Sequence, residues 1–138
     1  MRRKEKINEF SIPVKAVQID GGCFGNIYRI SPRRVLKVYD CVNEREGIKL
    51  AEDERKGAGL YYNGLPVLRI VRVKLRGAYR IGVIKRYLPR EVDYDAVQWI
   101  CDVNKQDRCD FGERQYRADS RGRIYRVDTQ TDDVLANY

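Results

Sequence analysis

Asp20-Gly21-Gly22-Cys23-Phe24-Gly25-Asn26-Ile27-Tyr28 sets three glycines between two strand-like segments, VKAVQI at 14–19 and Asn26 to Ile30. Glycines at a hairpin tip let the backbone come close to a ligand and turn N–H groups toward phosphate oxygens. An ordinary glycine-rich hairpin has the same composition. A few residues on, after the turn Ser31-Pro32-Arg33, comes Val35-Leu36-Lys37-Val38-Tyr39, a β-branched and aromatic strand with one charge inside it. Its neighbours at i±2, Val35 and Tyr39, are apolar. Alternation therefore puts Lys37 on a face expected to be buried. A buried ammonium needs an anionic partner. The following helix offers Glu54, with Glu52 as the alternative, and a purely structural ion pair meets the same need.

Outward from these stretches, residues 43–60 are rich in Glu, Lys, Ala and Leu, with apolar residues at helical spacing. Gly57 and Gly59 weaken the last turn of that helix, and Asn63-Gly64-Leu65-Pro66 stops it. Residues 67–74 and 78–87 read as a hairpin closed at Leu75-Arg76-Gly77. A short helix is expected from Asp95 to Val103. A second hairpin comes next, 116–118 and 124–127, around Asp119-Ser120-Arg121-Gly122, with a loosely held tail after Asp128.

The chain has 138 residues, which suits one domain. No run approaches 18 apolar residues, so no membrane span is expected. The basic start, MRRKEKINEF, precedes no apolar stretch and does not read as a secretory signal. Four cysteines without a CxxC pair, and no histidine, argue against zinc and for reduced thiols in a cytoplasmic setting. The lack of histidine also removes the Ser-His and Cys-His nucleophile schemes, so any base must be a carboxylate or a lysine. The net charge of +8 suits an acidic partner or simply a soluble surface. Nucleic acid is possible on charge but not favoured, because the acidic residues are spread through the chain and no aromatic-plus-basic platform is evident.

Asp110 and Asp128 flank the second hairpin, where two carboxylates could serve one site as base and metal ligand; aspartates at strand ends are also common turn residues. The order glycine turn, strand lysine, helix glutamate, hairpin, aspartate, hairpin, aspartate resembles the protein-kinase superfamily over about residues 14 to 130. Within it, the chain resembles minimal bacterial effector and phage-type kinases without an activation loop. Asp20 to Tyr28 looks like the G-x-G-x-F-G-x-V loop without its first glycine, and Val35-Leu36-Lys37 stands in the place of V-A-I-K.

The resemblance implies an α+β fold: a kinase-like N-lobe at about 14–88, made of a five-stranded antiparallel sheet and one helix, then a strongly truncated C-lobe at 89–138. It implies ATP and Mg²⁺ as cofactors. Gly21, Gly22 and Gly25 would approach the phosphates, with Phe24 capping the loop and Ile27 in the same nucleotide-binding set. Lys37 would hold the α/β-phosphates and pair with Glu54. Backbone groups of Arg86 to Leu88 would meet the adenine edge. Asp110 would deprotonate the acceptor hydroxyl, and Gln115 and Asp128 would hold the metal. The implied function is Ser/Thr protein phosphorylation, with a pseudokinase that binds a protein partner as the alternative. Either implies a protein substrate or an activating protein partner. This chain departs from the pattern at Gln115, where the family has Asn, at Arg117, where an apolar residue floors the adenine pocket, and at Lys85, near the gatekeeper.

Overall fold

The structure is a computed structural model, and it describes residues 7–22, 25–93, 95–96, 98–100 and 116–130. In chain order the strands are β1 (Asn8–Glu9), β2 (Val17–Gly22), β3 (Gly25–Ser31) and β4 (Arg34–Tyr39), then helix α1 (Glu44–Leu60). After it come β5 (Arg69–Leu75), β6 (Ala78–Arg86), β7 (Arg90–Glu91), β8 (Tyr116–Ala118) and β9 (Ile124–Arg126). The fold is α+β, as expected. The main sheet, however, has six strands in the order β1-β5-β6-β4-β3-β2 rather than five, and it is mixed rather than antiparallel. The extra strand is β1, which pairs in parallel with β5 through Asn8↔Val71 and Glu9↔Arg72. Two polar residues carry no periodicity to read. Apolar residues immediately after β1 secure it: Phe10 N–H donates to the Arg72 carbonyl, and Phe10 and Ile12 pack on the core.

The chain divides into two compact units, Met1–Glu52 with Val67–Lys85, and Asp53–Pro66 with Arg86–Tyr138. In the first unit, Leu36, Val38, Val71, Val73 and Ile84 form the core on one face of the sheet. The start of α1 packs on the other face. Asn43 Oδ1 accepts the Glu46 N–H at 2.9 Å as an N-cap, and Glu44 and Glu46 place negative charge in the first turn. Arg72, alternating with Val71 and Val73, donates to Glu44 at 2.7 Å. Gly47 lies so close to Ile81 that an added Cβ would stand 2.9 Å from the Ile81 Cβ. The β5–β6 turn uses positive φ at Arg76 (51°) and Gly77 (83°), the backbone that a two-residue hairpin requires.

In the second unit, β7, β8 and β9 form a small antiparallel sheet. Val92, Ile100, Tyr116 and Ala118 make its core, and Asp93 Oδ1 caps the helical residues 95–96 and 98–100 by accepting the Ala96 N–H at 2.8 Å. The segment after Asp128 begins as a packed one, contrary to the sequence expectation: Thr129 and Gln130 are buried against the second half of α1. Thr129 Oγ1 donates to the Glu54 carbonyl at 2.7 Å, Gln130 Nε2 to Glu54 Oε1 at 3.1 Å, and the Tyr61 hydroxyl to the Gln130 carbonyl at 3.1 Å. Polarity misleads here because every polar group named has a polar partner. Among the described residues no helix is long and apolar enough to cross a membrane.

Candidate functional site

The glycine turn is built as the end of the β2–β3 ladder. Gly21 stands opposite Asn26, and Gly22 opposite Gly25. Phe24 lies outside the described residues. The next strand is braced to the turn by a polar row: Gln18 Nε2 donates to Asn26 Oδ1 at 3.0 Å, and Asn26 Nδ2 donates to Asp40 Oδ2. Registry then places Ile27 directly across from Lys37, so both side chains leave the same face. That face is the one α1 covers, because Leu36, on the opposite face, touches the site of the missing Cβ of Gly82. Lys37 is half-buried, while Leu36 and Val38 are wholly so. Its ammonium stands 5.4 Å from the centre of the Tyr39 ring, within cation–π reach. In the first unit, therefore, Gly21, Gly22 and Gly25 stand on the β2–β3 ladder, and Ile27, two residues past Gly25 on β3, faces Lys37 on the β3–β4 ladder.

The remaining expected residues belong to the second unit or fall outside the described residues. Asp110 and Gln115 are outside them. Glu54 is fully buried and accepts from Gln130. Asp128 is half-buried. Its Oδ1 accepts the Gln130 N–H at 3.1 Å, and its carbonyl accepts from Arg126 Nε at 2.9 Å. Among the described residues no three His, Cys, Asp or Glu side chains gather as a metal site. A cavity of about 510 Å³ in the first unit, walled in part by Phe10, Ile12, Tyr28 and Tyr79, includes none of the expected site residues.

The linking stretch after β6 has an occupant that the sequence did not disclose. Arg117 on β8 donates through Nε to the Leu88 carbonyl at 2.7 Å and through Nη2 to the Pro89 carbonyl at 3.2 Å. A guanidinium thus lies along backbone that the kinase resemblance reserves for adenine. The pairing β7 to β8, with Glu91 opposite Arg117, is what aims it there.

The β8–β9 turn holds a second polar cluster. Asp119 is nearly buried and accepts the backbone N–H of Arg121 at 3.0 Å and of Arg123 at 2.9 Å, and the Arg86 guanidinium at 3.2 Å. These bonds, the Arg123 N–H foremost, hold its carboxyl below the ordinary carboxylate range. A carboxylate so depressed contributes stability that is complete above its unfolded pKa and is lost as pH falls through the lower folded value. Asp119→Asn should therefore lower the melting temperature at pH 7, and its deficit relative to wild type should shrink as pH is taken from about 5 to 2. A deficit independent of pH in thermal scans across that range would refute the assignment.

No protein-family model matches the chain, and none of the curated proteins matches it.

Proposed function

We propose that the chain is a minimal kinase-like domain that binds ATP through its glycine hairpin and Lys37 and transfers the γ-phosphoryl group to a Ser or Thr hydroxyl of a protein. The observation that supports this most is the registry Gly22↔Gly25 followed by Ile27↔Lys37. It puts Lys37 across from a residue two positions past Gly25, a combination suited to a triphosphate. The residues fit the phosphate end of such a ligand. Asp110 as the base, Glu54 as the partner of Lys37, and Gln115 with Asp128 as holders of Mg²⁺ are assigned by the resemblance. Bound Mg²⁺ would supply charge neutralisation on the phosphates.

A second reading, a pseudokinase that serves as a protein-binding module, is favoured by Arg117. Its bonds to the Leu88 and Pro89 carbonyls put a cation on a stretch that includes Leu88, whose backbone the resemblance assigns to the adenine edge. Calorimetry with ATP and Mg²⁺ separates the readings. Weak binding is expected from wild type. Lys37→Ala should weaken it about tenfold or more, the worth of a charge-assisted hydrogen bond, and Arg117→Leu should strengthen it. Incubation with γ-labelled ATP, comparing wild type with Lys37→Met and Asp110→Asn, then tests transfer. If neither wild type nor Arg117→Leu gives heat at millimolar ATP, the enzyme reading is to be abandoned.

A further inference from the structure

Where β1 ends, the edge of the main sheet holds a hollow of about 510 Å³. The pairing of β1 with β5 stops at Glu9↔Arg72, with Phe10 N–H on the Arg72 carbonyl just beyond it. Residues from both faces of β5 line the hollow, Arg72 and Lys74 from one face and Leu75 from the other. Phe10, Ile12, Tyr28 and Leu75 supply its apolar wall. Each of the four packs on the core of Leu36, Val38 and Val73, yet each is only half-buried. Large apolar side chains left half-covered around one gap are surface that a ligand can take out of water.

The charges in the wall are not equivalent. Arg72 is fixed on three sides: its Nε donates to Glu44 at 2.7 Å, its Nη1 lies 3.4 Å from Glu9, and its guanidinium stands 3.7 Å from the centre of the Tyr79 ring. Glu44 answers its charge. Lys74, opposite Tyr79 on the β5–β6 ladder, holds its ammonium 5.7 Å from the same ring. It is exposed and, among the described residues, has no carboxylate partner. One unanswered cation therefore stands at the rim of an apolar hollow. We propose that the hollow is a second ligand site, one that takes a small aromatic monocarboxylate. The ring lies against Phe10, Ile12, Tyr28 and Leu75, two of which offer rings of their own for stacking, and the carboxylate meets the Lys74 ammonium. Glu9, in the same wall, repels a second negative charge, so a carboxylate suits the site better than a phosphate dianion does. The volume and the make-up, mostly apolar with a few placed polar groups, are those of small-molecule sites.

Among the described residues the lining includes neither Lys37 nor Gly21, Gly22 or Gly25, so the site stands or falls independently of ATP binding. The full chain is titrated with 2-naphthoate, and separately with the neutral 2-naphthylmethanol, while its amide NMR signals are followed. Both compounds should shift the amides of Phe10, Ile12 and Leu75 saturably at millimolar concentration and leave that of Lys37 in place. Naphthoate should bind about threefold more tightly, the worth of one exposed ion pair. Lys74→Gln, a change at an exposed position, should erase that difference by weakening naphthoate alone. Ala16→Phe, which fills the hollow, should abolish binding of both compounds. If that variant does not fold, the Lys74→Gln comparison decides alone. The absence of saturable shifts at Phe10, Ile12 and Leu75 would overturn the proposal. So would equal affinities of the two compounds for wild type, or a preference for naphthoate that survives in Lys74→Gln.

Discussion

Gly57→Ala should destabilise the protein by about 3 kcal/mol and lower its melting temperature by about 10 °C, although alanine is the better helix former by about 1 kcal/mol. Gly57 is where buried Thr129 meets α1. A Cβ there would stand 1.7 Å from the Thr129 carbonyl oxygen and 2.8 Å from its carbonyl carbon. Both are backbone atoms, so no side chain can turn aside to relieve the overlap. The segment must move, and with it go the Thr129 bond to the Glu54 carbonyl, the Gln130 bond to Glu54 Oε1 and the Tyr61 bond to the Gln130 carbonyl. Each such buried bond contributes about 1 kcal/mol, and the Glu54 carboxylate would lose a donor in a site without solvent. Gly59→Ala is the control. Nothing lies within 4 Å of its Cβ position, so the propensity gain should appear undiminished, as a rise of up to about 3 °C. Equal and opposite shifts of the two variants are not required. A stabilised Gly57→Ala in denaturant or thermal unfolding would show that the 128–130 segment is not packed there.

Arg126→Ala should cost about 4 kcal/mol, through the cavity left by a large buried side chain and the loss of its cation–π contacts and its bond to the Asp128 carbonyl. Arg126 is one of the largest fully buried side chains. Its guanidinium lies 3.9 Å from the centre of the Tyr61 ring and 6.0 Å from that of Tyr116, and its Nε donates to the Asp128 carbonyl at 2.9 Å. The backbone at this position is tied independently: Arg126 N–H donates to the Asn63 carbonyl at 2.9 Å, and Leu65 N–H donates to the Arg126 carbonyl at 2.8 Å. Those bonds survive substitution, so the loss reports the side chain. Arg126→Met keeps much of the volume and gives up the cation–π contacts and the bond to Asp128, for an expected cost of about 2 kcal/mol. Chemical denaturation of the three proteins would show the order wild type, Met, Ala. If the alanine variant unfolds within about 1 kcal/mol of wild type, the cation contributes nothing that the backbone ties do not already supply.

Much of the architecture was legible along the chain because local chemistry dictates it. Gly-rich 21–25 between two strand-like runs became the β2–β3 end, the β-branched run at 35–39 became β4, and the Glu/Lys/Ala/Leu stretch became α1 with Asn43 as its cap. Arg76-Gly77 closed the β5–β6 hairpin, and Asp119 to Gly122 closed β8–β9. Alternation alone placed Lys37 on the face that α1 covers, and pairing with β3 put Ile27 across from it.

What the sequence alone could not supply were the contacts made between segments far apart in it. β1 is two polar residues long and exists only because β5 offers a free edge. Arg117 was visible as a departure from the kinase resemblance, but only the tertiary structure shows that its guanidinium lies on the Leu88 and Pro89 carbonyls. Gly57 reads in one dimension as a weak helical residue, and in three as the gap through which residues 128–130 reach Glu54. The sequence determined the strands, the helix, the turns and the candidate lysine, because propensity and alternation act within a few residues. Burial of Glu54, Thr129, Gln130 and Arg126 was decided by tertiary structure alone, since a buried polar group is stable only where distant residues bring its hydrogen-bond partners to it.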